Sequence, residues 1–201
     1  AQSSTSDSVE QRVGTVGRVH PHLEIKIVDE QGKVVPRGQL GELCVRGYSV
    51  MLGYWEDHEK SGEVIDSARW MHTGDIAEMD EAGFVKIKGR IKDVVIRGGE
   101  NLFPKEIEDF LYTHPDVSDV QVIGLPDARY GEELCACIIL HEHHEITEES
   151  IRQYCAEHIS HNKVPRYVRF FNEFPMTASG KAQKFKLQEF MHNELDLKEI
   201  A

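Results

Sequence analysis

A change of pattern in mid-chain limits what this sequence can fold into more than any other feature. It falls at Gly89-Arg90-Ile91-Lys92-Asp93-Val94-Val95-Ile96-Arg97-Gly98-Gly99-Glu100-Asn101. Upstream, apolar residues recur mainly in short alternating runs, the mark of half-buried strands. Downstream, such runs are mixed with segments whose apolar residues recur at helical spacing. A boundary is therefore expected within this stretch. The expected class is α+β, a small β-rich region followed by a compact α+β layer.

Residues up to about Val13 read as loop. Leu23-Glu24-Ile25-Lys26-Ile27-Val28 alternates as a strand, Asp29-Glu30-Gln31-Gly32-Lys33 carries turn chemistry, and Val34-Val35-Pro36 resumes the strand. A further short strand fits residues 41–47, and a short helix fits residues 56–64. Residues 76–80 and 84–88 flank a Glu81-Ala82-Gly83 turn, as in a hairpin. Beyond the boundary, Pro104 suits a first helical turn whose apolar face is Ile107, Phe110 and Leu111, and His114-Pro115 ends it. Strands fit residues 117–123, 133–140 and 167–171. Thr147 caps a helix bearing Ile151, Tyr154, Cys155 and His158, and residues 182–193 close the chain as a helix.

At 201 residues the chain has room for two small domains. Its formal net charge of −12 argues against nucleic acid as the main partner. No apolar run approaches the ~20 residues of a membrane span, so none is expected. One segment departs from the acidic balance. Lys163, Arg166, Arg169, Lys181, Lys184 and Lys186 stand against Glu173 and Glu189. Such a segment is a local anion site or a solvated basic face, and charge alone favours the face. Cys44, Cys135, Cys137 and Cys155 show no metal-ligand spacing. Cys135 and Cys137, two apart on a strand, share a face, and buried free thiols in a reducing compartment are expected.

Four places carry candidate chemistry. Asp75 follows Thr73-Gly74, so a flexible backbone presents a carboxylate at a turn. There it can accept hydrogen bonds from vicinal hydroxyls, as on a ribose, although an ordinary Asx-turn explains the same residues. Arg90, just beyond the hairpin, is a candidate for the same ligand. Lys181, in Thr177-Ala178-Ser179-Gly180-Lys181, lies on a glycine-containing loop ahead of a helix. That suits a reaching contact to a phosphate or carboxylate, or simply an exposed loop lysine; the P-loop pattern is missing. Gly98-Gly99 fits a hairpin turn or the close approach of a ligand. His141-Glu142-His143-His144-Glu145 lacks a metal-site pattern and reads as a solvated loop, so no metal site is assigned.

The order of these pieces is informative. Gly41-Glu42-Leu43 and Gly53-Tyr54-Trp55 come first, then Trp70 with Thr73-Gly74-Asp75. Gly89-Arg90-Ile91-Lys92-Asp93 and Gly98-Gly99-Glu100-Asn101 follow, with Pro104 and Glu106-Ile107-Glu108. Pro175, Thr177 and Ser179-Gly180-Lys181 complete the set. From Gly14 onward this resembles the C-terminal part of the adenylate-forming superfamily of acyl-CoA synthetases, luciferases and peptide-synthetase adenylation domains. Ile96-Arg97-Gly98-Gly99-Glu100-Asn101 and Gly131-Glu132-Glu133 are most similar to medium-chain fatty acyl-CoA synthetases.

The resemblance implies an ATP- and Mg²⁺-dependent conversion of a carboxylate, here a fatty acid, to an acyl-adenylate. Rotation of a small C-terminal domain then precedes transfer of the acyl group to coenzyme A. It implies that Asp75 holds the ribose hydroxyls, Arg90 contacts ribose or phosphate, and Lys181 reaches the carboxylate and α-phosphate. Lys92 matches the hinge, which divides residues 1–91 from residues 92–201. Gly98 and Gly99, with Glu100 beside them, match the pantetheine tunnel, and Lys163 is a candidate contact to a coenzyme A phosphate. The family's phosphate loop and its adenine- and metal-supporting segment are not in this sequence. These residues are therefore expected to be the distal part of a longer protein, inactive in adenylation alone, with the Mg²⁺ ligands outside them. An adenylation enzyme that loads another acceptor, and a non-catalytic nucleotide- or partner-binding module, are the alternatives. Cytoplasm and mitochondrial matrix both fit, and oligomeric state is not fixed.

Overall fold

The computed structural model describes residues 1–195 and divides into two compact units, Ala1–Lys92 and Asp93–Ala201. The first unit is built on an antiparallel meander of four strands, β1 (Leu23–Val28), β2 (Gly41–Gly47), β3 (Met71–Met79) and β4 (Val85–Arg90), in sequence order. Alternation in β1 carries Ile27 to the inner face. There it meets Ala77 of β3 and Val85 of β4, with Ile25, Val35, Leu43, Met79 and Ile87 packed around them. Val34 and Val35 do not resume a strand. Val34 makes one isolated bridge to Val28, and Pro36, with no N–H to donate, ends the pairing.

Two short helices complete this unit. Residues 1–13 are not all loop, as the sequence suggests: α1 (Val9–Gly14) starts on a capping box in which Ser8 and Gln11 satisfy each other's backbone amides. It buries no residue, so an apolar stripe could not have revealed it. The second helix, α2 (His58–Val64), is capped by Asp57, whose carboxylate accepts from the Lys60 amide.

The second unit is a five-stranded sheet with helices on both faces. Its path runs β6 (Glu100–Leu102), β5 (Val95–Arg97), β8 (Gly131–Leu140) and β7 (Val117–Asp127), with β9 (Tyr167–Phe170) pairing parallel to β8. All other pairs are antiparallel. β8 is central, and its run Leu-Cys-Ala-Cys-Ile-Ile-Leu is apolar at every position because both faces are covered. Leu134, Ala136 and Ile138 face α3 (Pro104–Leu111) and α4 (Glu148–His158), meeting Ile107, Leu111, Ile151 and Cys155. Cys135 and Cys137 face the other way and meet Leu187 and Met191 of α5 (Lys184–Glu194). Full burial of each large aliphatic side chain contributes ~1.5–3 kcal/mol.

All four cysteines are buried free thiols. Burial pushes the Cys44 and Cys155 thiols up to about 11, with the Glu42 charge adding to the effect at Cys44. Cys135 is raised too, first by its hydrogen bond with Cys137 and then by burial. Among the described residues no helix is long and apolar enough to cross a membrane.

Candidate functional site

In the first unit the candidate carboxylate is not at a turn but inside β3. Glu42 pairs with Ile76 and Cys44 with His72, so Leu43 alone faces Thr73, Gly74 and Asp75. The surplus residues are pushed out as a bulge, which re-aims the side chains it carries. Gly74 takes a φ of +71°, a left-handed value that suits glycine. The Thr73 hydroxyl donates to the Leu43 carbonyl at 2.8 Å and accepts from the Asp75 amide at 3.1 Å. Glu42 braces the other side. Its Oε1 accepts from the Gly74 amide at 3.1 Å, and its Oε2 lies 2.7 Å from His72 Nδ1. An ionised carboxylate only accepts, so Nδ1 carries the proton.

Asp75 and Arg90 are cross-strand partners on β3 and the edge strand β4. Arg90 Nε donates to Asp75 Oδ1 at 3.0 Å, and an Arg90 terminal nitrogen donates to the Thr73 carbonyl at 3.4 Å. The side chains are 33% (Asp75) and 52% (Arg90) exposed, so the pair adds little to stability. Asp75 Oδ2 has no protein donor among the described residues. A carboxylate beside a guanidinium fork on a half-buried bulge offers acceptors for hydroxyls and donors for an anion.

One group of metal-type donors occurs among the described residues: Glu42, Cys44 and His72, with ligand atoms within 4.8 Å of one another. Sequence spacing misses it because β2 and β3 bring it together. Cys44 Sγ lies 3.5 Å from His72 Nδ1, but its thiol is held protonated by burial and by Glu42. Hydrogen bonds account for the whole cluster, whose geometry is that of a brace for the bulge. Nor does its mixed sulfur, nitrogen and oxygen set suit Mg²⁺, which takes oxygen ligands.

In the second unit, Lys181 is exposed at the end of a tight loop. The Thr177 amide donates to the Lys181 carbonyl at 2.8 Å, and the Lys181 amide donates to Thr177 Oγ1 at 3.1 Å. Gly180 turns the chain at φ +76°. The base of the loop is tied down by Lys184, whose Nζ meets Glu108 Oε1 at 2.6 Å and the Val122 carbonyl at 3.0 Å. The backbone of Lys181 is thus fixed while its ammonium has no ion pair among the described residues.

That freedom sets Lys181 apart from most of its basic neighbours. Lys163 pairs with Glu106 at 2.5 Å, Arg166 with Asp127 at 2.8 Å, and Arg169 with Glu148 and Glu194. The basic segment is therefore largely neutralised inside the unit, rather than a solvated face. Lys163 in particular already has a carboxylate partner. His144, in the histidine-rich loop, pairs with Asp116.

Gly98 and Gly99 form the two-residue turn of the β5–β6 hairpin, with φ of +59° and +86°. Both positive values are those of a type I′ turn, which favours glycine at each position. A Cβ at Gly99 would meet nothing within 4 Å, so backbone conformation rather than crowding demands glycine there. Glu100 is exposed beside the turn and accepts from Asn162 Nδ2 at 2.6 Å. Lys92 is exposed in a 3₁₀ turn, Ile91–Asp93, that straddles the division between the units.

Comparison with known families matches residues 2–55 to an AMP-binding enzyme model and residues 106–181 to the AMP-binding enzyme C-terminal domain. The chain belongs to the adenylate-forming, AMP-binding enzymes. Among curated members, it is 54% identical to the mitochondrial medium-chain acyl-CoA ligase ACSF2 of Bos taurus over 96% of its own length and 32% of that protein. It is 50% identical to the putative acyl-CoA synthetase YngI of Bacillus subtilis, over 94% of the chain and 34% of that protein. Among solved members, ATP-bound MatB from Rhodopseudomonas palustris superposes with a TM-score of 0.84 at 35% identity, over 90% of this chain and 36% of that one. The chain thus spans about a third of the length of the curated relatives it matches.

Glu42, His72, Arg97, Glu133 and Asn162 support these candidates through contacts that the sequence does not reveal. For Glu133 a signal was present. A charged residue opening a fully apolar strand needs a partner if buried.

Proposed function

We propose that these residues are the distal third of an AMP-forming acyl-CoA ligase acting on a medium-chain fatty acid. The observation that carries this reading is the roughly half-identical match, over almost the whole chain, to proteins named as an acyl-CoA ligase and a putative acyl-CoA synthetase. In the first half-reaction a fatty carboxylate oxygen attacks the α-phosphorus of ATP, and the bond to pyrophosphate breaks. In the second, the coenzyme A sulfur attacks the acyl carbon, the bond to the phosphate oxygen breaks, AMP leaves, and the thiol proton passes to solvent.

The residues take separate roles. Asp75 accepts the ribose hydroxyls through its free oxygen, and Arg90, steadied by Asp75, faces the ribose or phosphate. Lys181 donates to the carboxylate and α-phosphate oxygens as charge builds in the first step. Lys92 is the pivot between the half-reactions, with 1–91 and 92–201 as the moving parts. Gly98 and Gly99, flanked by Glu100, line the pantetheine path. Lys163 reaches a coenzyme A phosphate only by leaving Glu106. Magnesium accompanies ATP in this reaction class, but no oxygen-only donor set occurs among the described residues. Its ligands would lie outside this sequence. The names of vertebrate relatives favour the mitochondrial matrix over the cytoplasm.

The test uses the full-length protein that contains this sequence, with ATP, octanoate and coenzyme A. Loss of free thiol that depends on both ATP and octanoate is expected. Adenylate formation without thiol loss would favour an enzyme that loads another acceptor. Neither activity would favour a binding module.

A further inference from the structure

The β5–β6 hairpin is too short to hold itself. Each strand has three residues, and β5 joins the sheet through a single register pair, Arg97 with Gly131. Two-stranded hairpins are marginal in water even when longer. Polar anchors supply what pairing does not. The Ile96 amide donates to Glu132 Oε2 at 2.6 Å, and the Gly98 amide donates to the Tyr130 carbonyl at 2.8 Å.

The principal anchor is buried. Glu133 is 1% exposed, the one charged or polar side chain in the buried set among the described residues. Arg97 donates to Glu133 Oε1 at 3.1 Å from one terminal nitrogen and to the Asn162 carbonyl at 2.8 Å from the other. Its Nε stands 2.8 Å from Glu133 Oε2, but off the N–H axis, so that oxygen has a charge partner and no hydrogen bond. Asn162 in turn donates its side-chain amide to Glu100. A continuous path therefore runs from a buried carboxylate on β8, through Arg97, to both flanks of the Gly98-Gly99 turn.

We propose that Glu133 is a positioning residue for thioester formation. Acting through Arg97 and Asn162, it aims the Gly98-Gly99 turn and Glu100 at the pantetheine arm of coenzyme A, and it is dispensable for adenylation. This rests on the ligase reading above, in which the turn meets coenzyme A. A hairpin misplaced by as little as ~1 Å can cost on the order of a hundredfold in a step that depends on it. A pair that served folding alone would instead depress both half-reactions together.

The experiment uses the full-length ligase and measures ATP–pyrophosphate exchange and acyl-CoA formation separately. Glu133→Gln keeps the volume and removes the charge. Thioester formation is expected to fall at least ~10-fold, with a raised KM for coenzyme A, and exchange to stay within about twofold. Should Glu133→Gln not fold, the double variant Glu133→Leu/Arg97→Met removes both charges without stranding either. It is expected to keep exchange and still lose thioester formation. Asn162→Ala, a milder surface change, is expected to give a smaller loss of the same selectivity. Equal loss in both half-reactions, or wild-type thioester formation in the double variant, would overturn the proposal. A parent enzyme that forms adenylate but no acyl-CoA would overturn the ligase reading instead, and this proposal with it.

Discussion

Replacing Glu42 with leucine removes the acceptor for two donors, the Gly74 amide at 3.1 Å and His72 Nδ1 at 2.7 Å. Each unpaired donor costs about 1–3 kcal/mol when buried. Here water recovers part of that, because the His72 and Glu42 side chains are 32% and 19% exposed, so the low end applies. The larger consequence is geometric. The bulge that aims Asp75 keeps only the Thr73 lock. In the role proposed for Asp75, a hydrogen bond from a ribose hydroxyl to its carboxylate is worth up to about 3 kcal/mol, and losing half of that weakens nucleotide binding about tenfold. Glu42→Leu in the full-length enzyme should therefore raise the KM for ATP in pyrophosphate exchange about tenfold, with kcat changed by less than about threefold. Glu42→Gln should do far less. Its carbonyl still accepts from Gly74, and His72 can move its proton to Nε2 so that Nδ1 accepts from the new amide. A folded Glu42→Leu enzyme with an unchanged KM for ATP would refute the brace. So would equal effects of Leu and Gln.

Three further predictions address the other candidates. Lys181→Ala should slow pyrophosphate exchange on the order of 10²- to 10³-fold, and should slow conversion of supplied acyl-adenylate to thioester much less, as single-turnover rates would reveal. Lys92→Pro fixes φ at the division between the units, so it should impair thioester formation more than adenylation, and equal loss in both would count against a hinge. In the native enzyme, Cys44 and Cys155 should resist iodoacetamide at about pH 8, and peptide mapping should find them labelled only after unfolding. Their thiols are raised to about 11, so the stability they contribute is full below about pH 9 and is lost as pH climbs toward 11. Fast native labelling at neutral pH would contradict their burial.

Local periodicity made most of the fold legible. β1, β2, the β3–β4 hairpin and the α3, α4 and α5 helices all announce themselves by alternation, caps or helical spacing. The double coverage of β8 is also visible, in an apolar run that no half-exposed strand would carry. What escaped depends on register rather than composition. Thr73-Gly74-Asp75 looks like a turn in one dimension, and only its pairing against a single residue of β2 makes it a bulge. The basic stretch after His161 looks free until Glu106, Asp127, Glu148 and Glu108 arrive from other elements to neutralise it. Glu42 with His72, and Arg97 with Glu133, lie thirty or more residues apart in sequence and meet only through the sheets. The candidate site was accordingly readable as residue types in order, and its supports were not.

The most direct measurement is a rapid-quench experiment on the full-length protein, first with ATP and labelled octanoate, then with coenzyme A added. An AMP-forming acyl-CoA ligase accumulates octanoyl-adenylate and pyrophosphate before the addition, then converts the adenylate to octanoyl-CoA with one AMP released per thioester. Release of ADP and phosphate, or an adenylate that persists after coenzyme A is added, would contradict the proposed function.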